Sequence, residues 1–172
     1  HAAVDGTGAA IDEGGLAYRI EAVNQVSATV PQILTFCVGV TMGSDCGSVS
    51  GNSVNFGNLS ENGTATATSV MAANTNASFG YVITLLGNTM TSGNNTITAM
   101  NPRTTSQTGQ SQFGLNLRAN SSPSVGANPS GAGTATPTAN YNVPNQFIFN
   151  SGDVVATSAG STDINRFTSS YT

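Results

Sequence analysis

The chain has very few charged or reactive side chains. Its 172 residues include no Trp, no Lys and one His, with two Cys, four basic and eight acidic residues. A formal net charge of −4 and the lack of a basic cluster argue against binding to nucleic acid or anionic membranes. No apolar run approaches the ~20 residues that cross a bilayer. We therefore expect no membrane span and no nucleic-acid partner.

The same scarcity argues against catalysis. The sole histidine, His1, begins a Gly-rich stretch, so nothing rigid would hold it as a triad base, and no second imidazole exists to complete a copper site. A carboxylate pair for glycoside hydrolysis is the alternative, but these acids are dispersed in turn-like contexts and fit solvated turns better: Asp45, Glu61, Asp153 and Asp163. We predict that the protein is not an enzyme and carries no cofactor or metal.

Cys37 and Cys46 are nine positions apart, and the turn-rich residues between them allow the two ends to meet. In an oxidising compartment this spacing predicts a disulfide, and two free thiols are the alternative. The sequence starts at His1 rather than Met, which suggests a processed, secreted chain. We therefore expect an extracellular location at the cell surface.

Strand patterns begin at Leu16. Residues 1–15 are Gly-rich and aperiodic and predict a flexible arm, whereas 16–30 alternate apolar and polar side chains as a half-buried strand does. The apolar run 33–38 predicts a central strand buried on both faces. The predicted core comprises Ile33, Leu34, Phe36, Val38, Phe56, Tyr81, Ile83, Leu85, Phe113, Leu115 and Phe147.

Short β-rich runs separated by Gly, Asn and Pro turns continue to residue 172, and no stretch keeps a helical period. Residues 120–144, with four prolines, predict a long polar loop. The pattern indicates a single all-β domain over 16–172 with a β-sandwich fold. Further strands are predicted at 53–59, 64–72, 79–86, 94–100 as a hairpin partner of 79–86, 113–117, 147–149, 153–156 and 167–172.

Asn-x-Ser/Thr sequons would permit glycan attachment if the host has the machinery. In a chain this rich in Asn, Ser and Thr, several sequons are expected by chance. They lie at Asn58, Asn62, Asn76, Asn94 and Asn120.

Three stretches carry a family resemblance: Val26-Ser-Ala-Thr-Val-Pro-Gln-Ile-Leu-Thr-Phe-Cys-Val, Val54-Asn-Phe-Gly-Asn-Leu, and Asn74-Thr-Asn-Ala-Ser-Phe-Gly-Tyr-Val-Ile-Thr-Leu. This layout resembles subunits of bacterial strand-exchange pili and of spore-coat-type fibres. The resemblance implies an immunoglobulin-like or jelly-roll-like sandwich that lacks one strand and receives it from a neighbouring subunit.

The alternating segment 16–30 has the form of such a donor strand. The function we expect is that of a structural subunit of an extracellular, pilus-like filament, with identical subunits as partners. The alternative for this segment is the first strand of a closed monomer. The predicted subunit contacts are Leu16, Tyr18, Ile20, Val23, Val26, Ala28 and Val30.

A monomeric adhesin or glycan-binding module is the alternative function. It would take a surface glycan or a host receptor as its partner. Its site would lie in the 120–144 loop, where Tyr141 offers a stacking surface.

Overall fold

The computed structural model describes residues 26–172. All of the strands and sheets belong to one compact unit, Gln32–Thr172. Residues 26–31 have no regular secondary structure. The predicted arm at 1–15 and the predicted strand over 16–25 lie outside the described residues.

The described chain is all-β, as predicted. Residues 26–172 contain no helix, and thus none that is long and apolar enough to cross a membrane. Sixteen strands occur in these residues: β1 Leu34–Gly39, β2 Thr41–Met42, β3 Val49–Ser50, β4 Ala67–Thr75, β5 Tyr81–Thr84, β6 Thr91–Ser92, β7 Asn95–Thr96, β8 Thr98–Ala99, β9 Gln112–Phe113, β10 Leu115–Asn116, β11 Asn120–Ser121, β12 Ser124–Val125, β13 Ser130–Gly131, β14 Thr136–Pro137, β15 Val154–Ser158 and β16 Thr162–Tyr171.

Two antiparallel sheets form a sandwich-like core. The large sheet has the order β1-β4-β16-β10, and β13 also pairs with β16 on the side away from β4. The small sheet has the order β14-β15-β5. The two longest strands, β4 and β16, form the centre of the large sheet because their alternating residues can be buried over many positions.

Side chains from both sheets share one apolar cluster. Met71 and Phe167 enter it from the large sheet, and Tyr81, Val155 and Ala156 enter it from the small sheet. Most of the predicted core is confirmed here. Phe113, Leu115, Tyr81 and Phe147 are buried, and Phe56, Ile83 and Leu85 pack against the cluster from partly exposed positions.

The prediction for residues 33–38 is wrong in a specific way. They do form a strand, β1, but within the described part of the chain it is an edge strand whose one pairing partner is β4. Its apolar side chains are at least half exposed: Ile33, Leu34, Phe36 and Val38. A mostly apolar run predicts burial on both faces of a strand, but it does not specify whether other strands cover those faces.

Other strand predictions differ in detail. Residues 53–59 form no strand, and residues 94–100 do not pair with β5, whose partner in the small sheet is β15. Residues 94–100 instead contain β7, which forms a tight hairpin with β6 just before it, and β8, which pairs in parallel with β9. The predicted long loop at 120–144 contains four short strands and is ordered.

We expect core and surface phenylalanines to differ sharply in their contribution to stability. Phe167→Ala removes a fully buried ring from β16 and should lower the free energy of unfolding by about 3–5 kcal/mol. Phe79→Ala, in the exposed β4–β5 connection, should change it by less than about 0.5 kcal/mol. Urea denaturation measures both, and equal losses would contradict the assignment of the core.

Candidate functional site: an uncovered core face on β1

The site is the inward face of the edge strand β1. Val38 lies opposite Met71 of β4, which in turn lies opposite Phe167 of β16. Directly paired residues of an antiparallel sheet point to the same face, so all three side chains point to the core side. Their exposed fractions are 57%, 7% and 0%, respectively. The core side of the sheet is therefore covered over β16 and β4 but not over β1.

Two more rows across the sheet show the same contrast between an exposed side chain on β1 and buried side chains on β4 and β16. In each row the β1 residue is at least half exposed, while its neighbours on β4 and β16 are buried: Phe36–Ala73–Asn165 and Leu34–Thr75–Thr162. Three apolar side chains thus form a continuous stripe along β1, which we call the β1 stripe: Leu34, Phe36 and Val38.

The stripe is uncovered because the small sheet has too few strands. The large sheet has four strand positions, β1, β4, β16 and the β10/β13 position, whereas the small sheet has three. Only residues 132–135 join β13 to β14, so these strands must lie opposite each other. Counting across from there places β15 opposite β16 and β5 opposite β4, and no strand from residues 26–172 lies opposite β1.

Side-chain contacts support this alignment. Asn165 of β16 donates from its side chain to the Tyr81 hydroxyl on β5 (3.3 Å), and its Oδ1 accepts from the Ala135 amide (3.0 Å) next to β14. The β4–β5 connection turns at Gly80, where φ is 68°. The Ser158 carbonyl occupies the place that a Cβ would need there, so only glycine fits this approach.

The opposite face of β1 is covered. Cys37 lies there, and its predicted disulfide with Cys46 is confirmed, with the Cα atoms 5.7 Å apart. The disulfide holds the segment 40–50 against the strand. Arg166 of β16 donates from its guanidinium to the Met42 carbonyl (3.0 Å), which fixes the same segment across the sheet. The edge strand is therefore supported from outside while its core side stays open.

Removing the disulfide should loosen β1. We expect Cys37→Ser with Cys46→Ser to lower the free energy of unfolding by about 2–3 kcal/mol, the loop-closure value for a ring of this size. Limited proteolysis should then cut within residues 40–50 earlier than in the parent chain. Unchanged stability and an unchanged cleavage pattern would contradict the anchoring role of the disulfide.

The 120–144 segment does not offer the predicted stacking surface. Tyr141 is fully buried, and its hydroxyl donates to Asp153 Oδ2 (3.0 Å). The prediction of Tyr141 as a glycan platform is therefore wrong. Burial raises the pKa of the Tyr141 phenol, and the hydrogen bond to Asp153 and its charge raise it further. The sequence does not reveal this burial because the neighbouring residues are polar.

An amide cluster holds this segment in place. The Asn116 and Asn120 side chains bond to each other in both directions (2.7 and 2.9 Å), and Asn120 Oδ1 also accepts from the Asn145 amide (2.7 Å). Asn145 has a left-handed φ of 62°, and its Oδ1 accepts from the backbone amides of Ser121 and Ser122. Asparagine tolerates this conformation better than most residues.

The buried phenols predict alkaline instability. Burial raises the pKa values of Tyr81 and Tyr141, so both stay protonated in the fold at a pH where the unfolded chain ionises them. Their stabilising effect is complete below about pH 10 and is lost as the pH rises above it, by up to about 1.4 kcal/mol per pH unit for each tyrosine. Tyr141→Phe should therefore flatten the fall in unfolding free energy between pH 10 and 11.5. Identical slopes, measured by denaturation at each pH, would contradict this.

The structure separates the five sequons into two groups. Asn58, Asn62, Asn76 and Asn94 are exposed. Asn120 is buried, and its amide nitrogen donates to the Arg118 and Val125 carbonyls as well as to Asn116. The folded protein therefore does not offer Asn120 for glycan attachment, and we correct that prediction.

A concave cavity of about 350 Å³ lies at another part of the surface. Its apolar lining includes Phe56, Met90 and Ile97, and its rim carries neutral amides and Glu61. Within residues 26–172 no three His, Cys, Asp or Glu side chains gather in a way that would hold a metal ion. The cavity therefore offers shape and hydrogen bonds but no set of catalytic groups.

The predicted subunit contacts fall mostly outside the described residues. Leu16, Tyr18, Ile20 and Val23 lie there, whereas Val26, Ala28 and Val30 are described and exposed. Sequence reasoning missed the β1 stripe as a site because it assigned those residues to the core. The signal for this site was the apolar run itself. The same run is expected for a strand buried within the domain and for a strand whose apolar face is left open to a partner.

Comparison of the chain with protein-family models, with curated proteins and with solved structures returned no match. The pilin and spore-coat resemblance therefore stays a prediction.

Proposed function

We propose that the protein is a structural subunit of an extracellular filament that assembles by β-strand complementation. The observation that carries the proposal is the β1 stripe, a row of core-facing apolar side chains without a covering strand. In this proposal the domain is an incomplete immunoglobulin-like sandwich, and a strand from a neighbouring subunit completes it.

The stripe supports assembly because it resembles a fragment of core rather than of surface. Single exposed apolar residues are common on protein surfaces. Here three of them are paired with buried residues of β4 and β16, so the buried face of the large sheet continues onto β1 as an exposed apolar surface. Covering them, and burying the apolar side chains of the added strand, contributes about 1.5–3 kcal/mol for each fully buried side chain. That gain offsets the cost of ordering an extended segment.

The proposed location follows from the disulfide and the surface chemistry. Disulfides persist in oxidising, extracellular compartments. The exposed side chains are mainly Ser, Thr and Asn, so solubility rests on neutral hydrogen-bonding groups. A head-to-tail strand contribution is heterologous and generates an open fibre rather than a closed dimer.

A charge placed in the stripe should block assembly without unfolding the subunit. Phe36→Asp and Val38→Asp put a carboxylate where the added strand must pack, so we expect loss of filaments in negative-stain micrographs and sedimentation as monomers. Leu59→Asp is the matched control, because Leu59 is 57% exposed, as Val38 is, but lies away from β1. Its filaments should be unchanged.

Two results would overturn the proposal. One is a parent chain that stays as discrete particles at high concentration. The other is normal filaments from the Val38→Asp chain, with circular dichroism showing that all variants are folded.

A further inference from the structure

The uncovered stripe alone does not say which sheet an incoming strand joins. Two free strand edges lie near it: the outer edge of β1 in the large sheet and the edge of β5 in the small sheet, since each of these strands pairs with one neighbour among the described residues. A strand added to the β1 edge would extend the large sheet and leave the stripe uncovered. A strand added beside β5 would lie in the opposite layer, directly over the stripe.

We propose that residues 16–22 of a second copy lie beside β5 and form the fourth strand of the small sheet. This inference rests on the proposed function and specifies its contact. The small sheet would then read β14-β15-β5-donor, and its four strand positions would match the four of the large sheet. About 10 Å separates packed sheets, so the donor's inward side chains would meet the stripe.

The spacing of apolar residues favours this segment. Leu16, Tyr18 and Ile20 recur every second residue. Residues two apart in a strand are separated by ~6.6–6.8 Å, and the three residues of the β1 stripe follow the same period. Each donor side chain can therefore face the stripe without a break in register. The alternate residue Arg19 would point away from the core, to the solvent side of the small sheet.

The reach of the chain favours residues 16–22 over residues 26–30 as the donor. If they lay in a neighbour's groove, only residues 31–33 would connect that groove to the subunit's own β1, a span of at most about 10 Å. A compact unit of this size is about 37 Å across. With residues 16–22 as donor, residues 23–33 form the connection and span up to about 36 Å, which is enough to pass from one subunit to the next. Val26, Ala28 and Val30 are then linker residues rather than groove contacts.

Cysteine pairing between different chains tests this placement. One chain carries Arg19→Cys, and the other carries Val82→Cys or Thr84→Cys, which point to the outer face of β5. The native disulfide is kept. Side chains paired across adjacent strands are close enough for a disulfide. Mixed filaments, mildly oxidised and run on a non-reducing gel, should give a covalent dimer for at least one of the two β5 positions.

Two further partners serve as controls for the Arg19→Cys chain. Thr157→Cys lies on β15, opposite Val82 and one strand farther from the proposed donor, and should crosslink at least tenfold less. Thr35→Cys lies on β1, on the face away from the core, and would be the preferred partner if the donor extended the large sheet instead. Because each chain carries one new cysteine, any Arg19–Val82 or Arg19–Thr84 product joins two copies.

The outcomes separate this inference from the proposed function. Filaments that crosslink through Thr35, or through none of these positions, would overturn the placement beside β5 and leave a filament subunit intact. A chain that carries Arg19→Cys together with Val82→Cys or Thr84→Cys tests pairing within one copy. If a crosslink forms only in such a chain, the segment covers the stripe of its own subunit, which also overturns the inference. A parent chain that forms no filaments would refute the proposed function itself.

Discussion

The structure depends on a mismatch between two packed layers. Four strand positions face three, and no strand of the described chain packs over the apolar side chains of the unmatched strand, β1. In a larger protein a further strand or a helix would cover such an edge. Here the apolar residues are few, and those of β4 and β16 already account for much of the large sheet's buried face. The stripe on β1 is therefore a surplus of core-type side chains at a defined place on the surface.

The rest of the fold keeps that surface in shape. An edge strand without a covering layer would twist or fray, but β1 is fixed at its start and from its outer face. The Thr75 hydroxyl at the end of β4 donates to the Ile33 carbonyl, and Asn76, which follows β4, accepts from the Ile33 amide. The Cys37–Cys46 disulfide holds the 40–50 segment behind the strand. A groove that is rigid before it is filled loses less entropy on binding. The disulfide thus stabilises the edge strand and preorganises its open face.

The sequence predicts the class of the fold well and the site only in part. Alternation and turn chemistry were enough for the all-β class, the disulfide, and the strands β4, β5, β15 and β16, because these signals are local. The site depends on which strands lie opposite each other, a property of topology that no local pattern contains. For the same reason Tyr141 was assigned to a surface loop, although tertiary contacts bury it completely. For residues 33–38 the sequence correctly predicts a strand with apolar side chains. It does not reveal that these side chains stay exposed.

The amide cluster around Asn116 and Asn120 has a wider consequence. It joins the long 120–144 segment to the body through neutral groups, where many proteins would use ion pairs. Neutral hydrogen bonds are not screened by dissolved ions, and their donors and acceptors do not titrate in the range of natural waters. The attachment of the 120–144 segment should therefore depend little on ionic strength, and little on pH below the range in which tyrosines ionise.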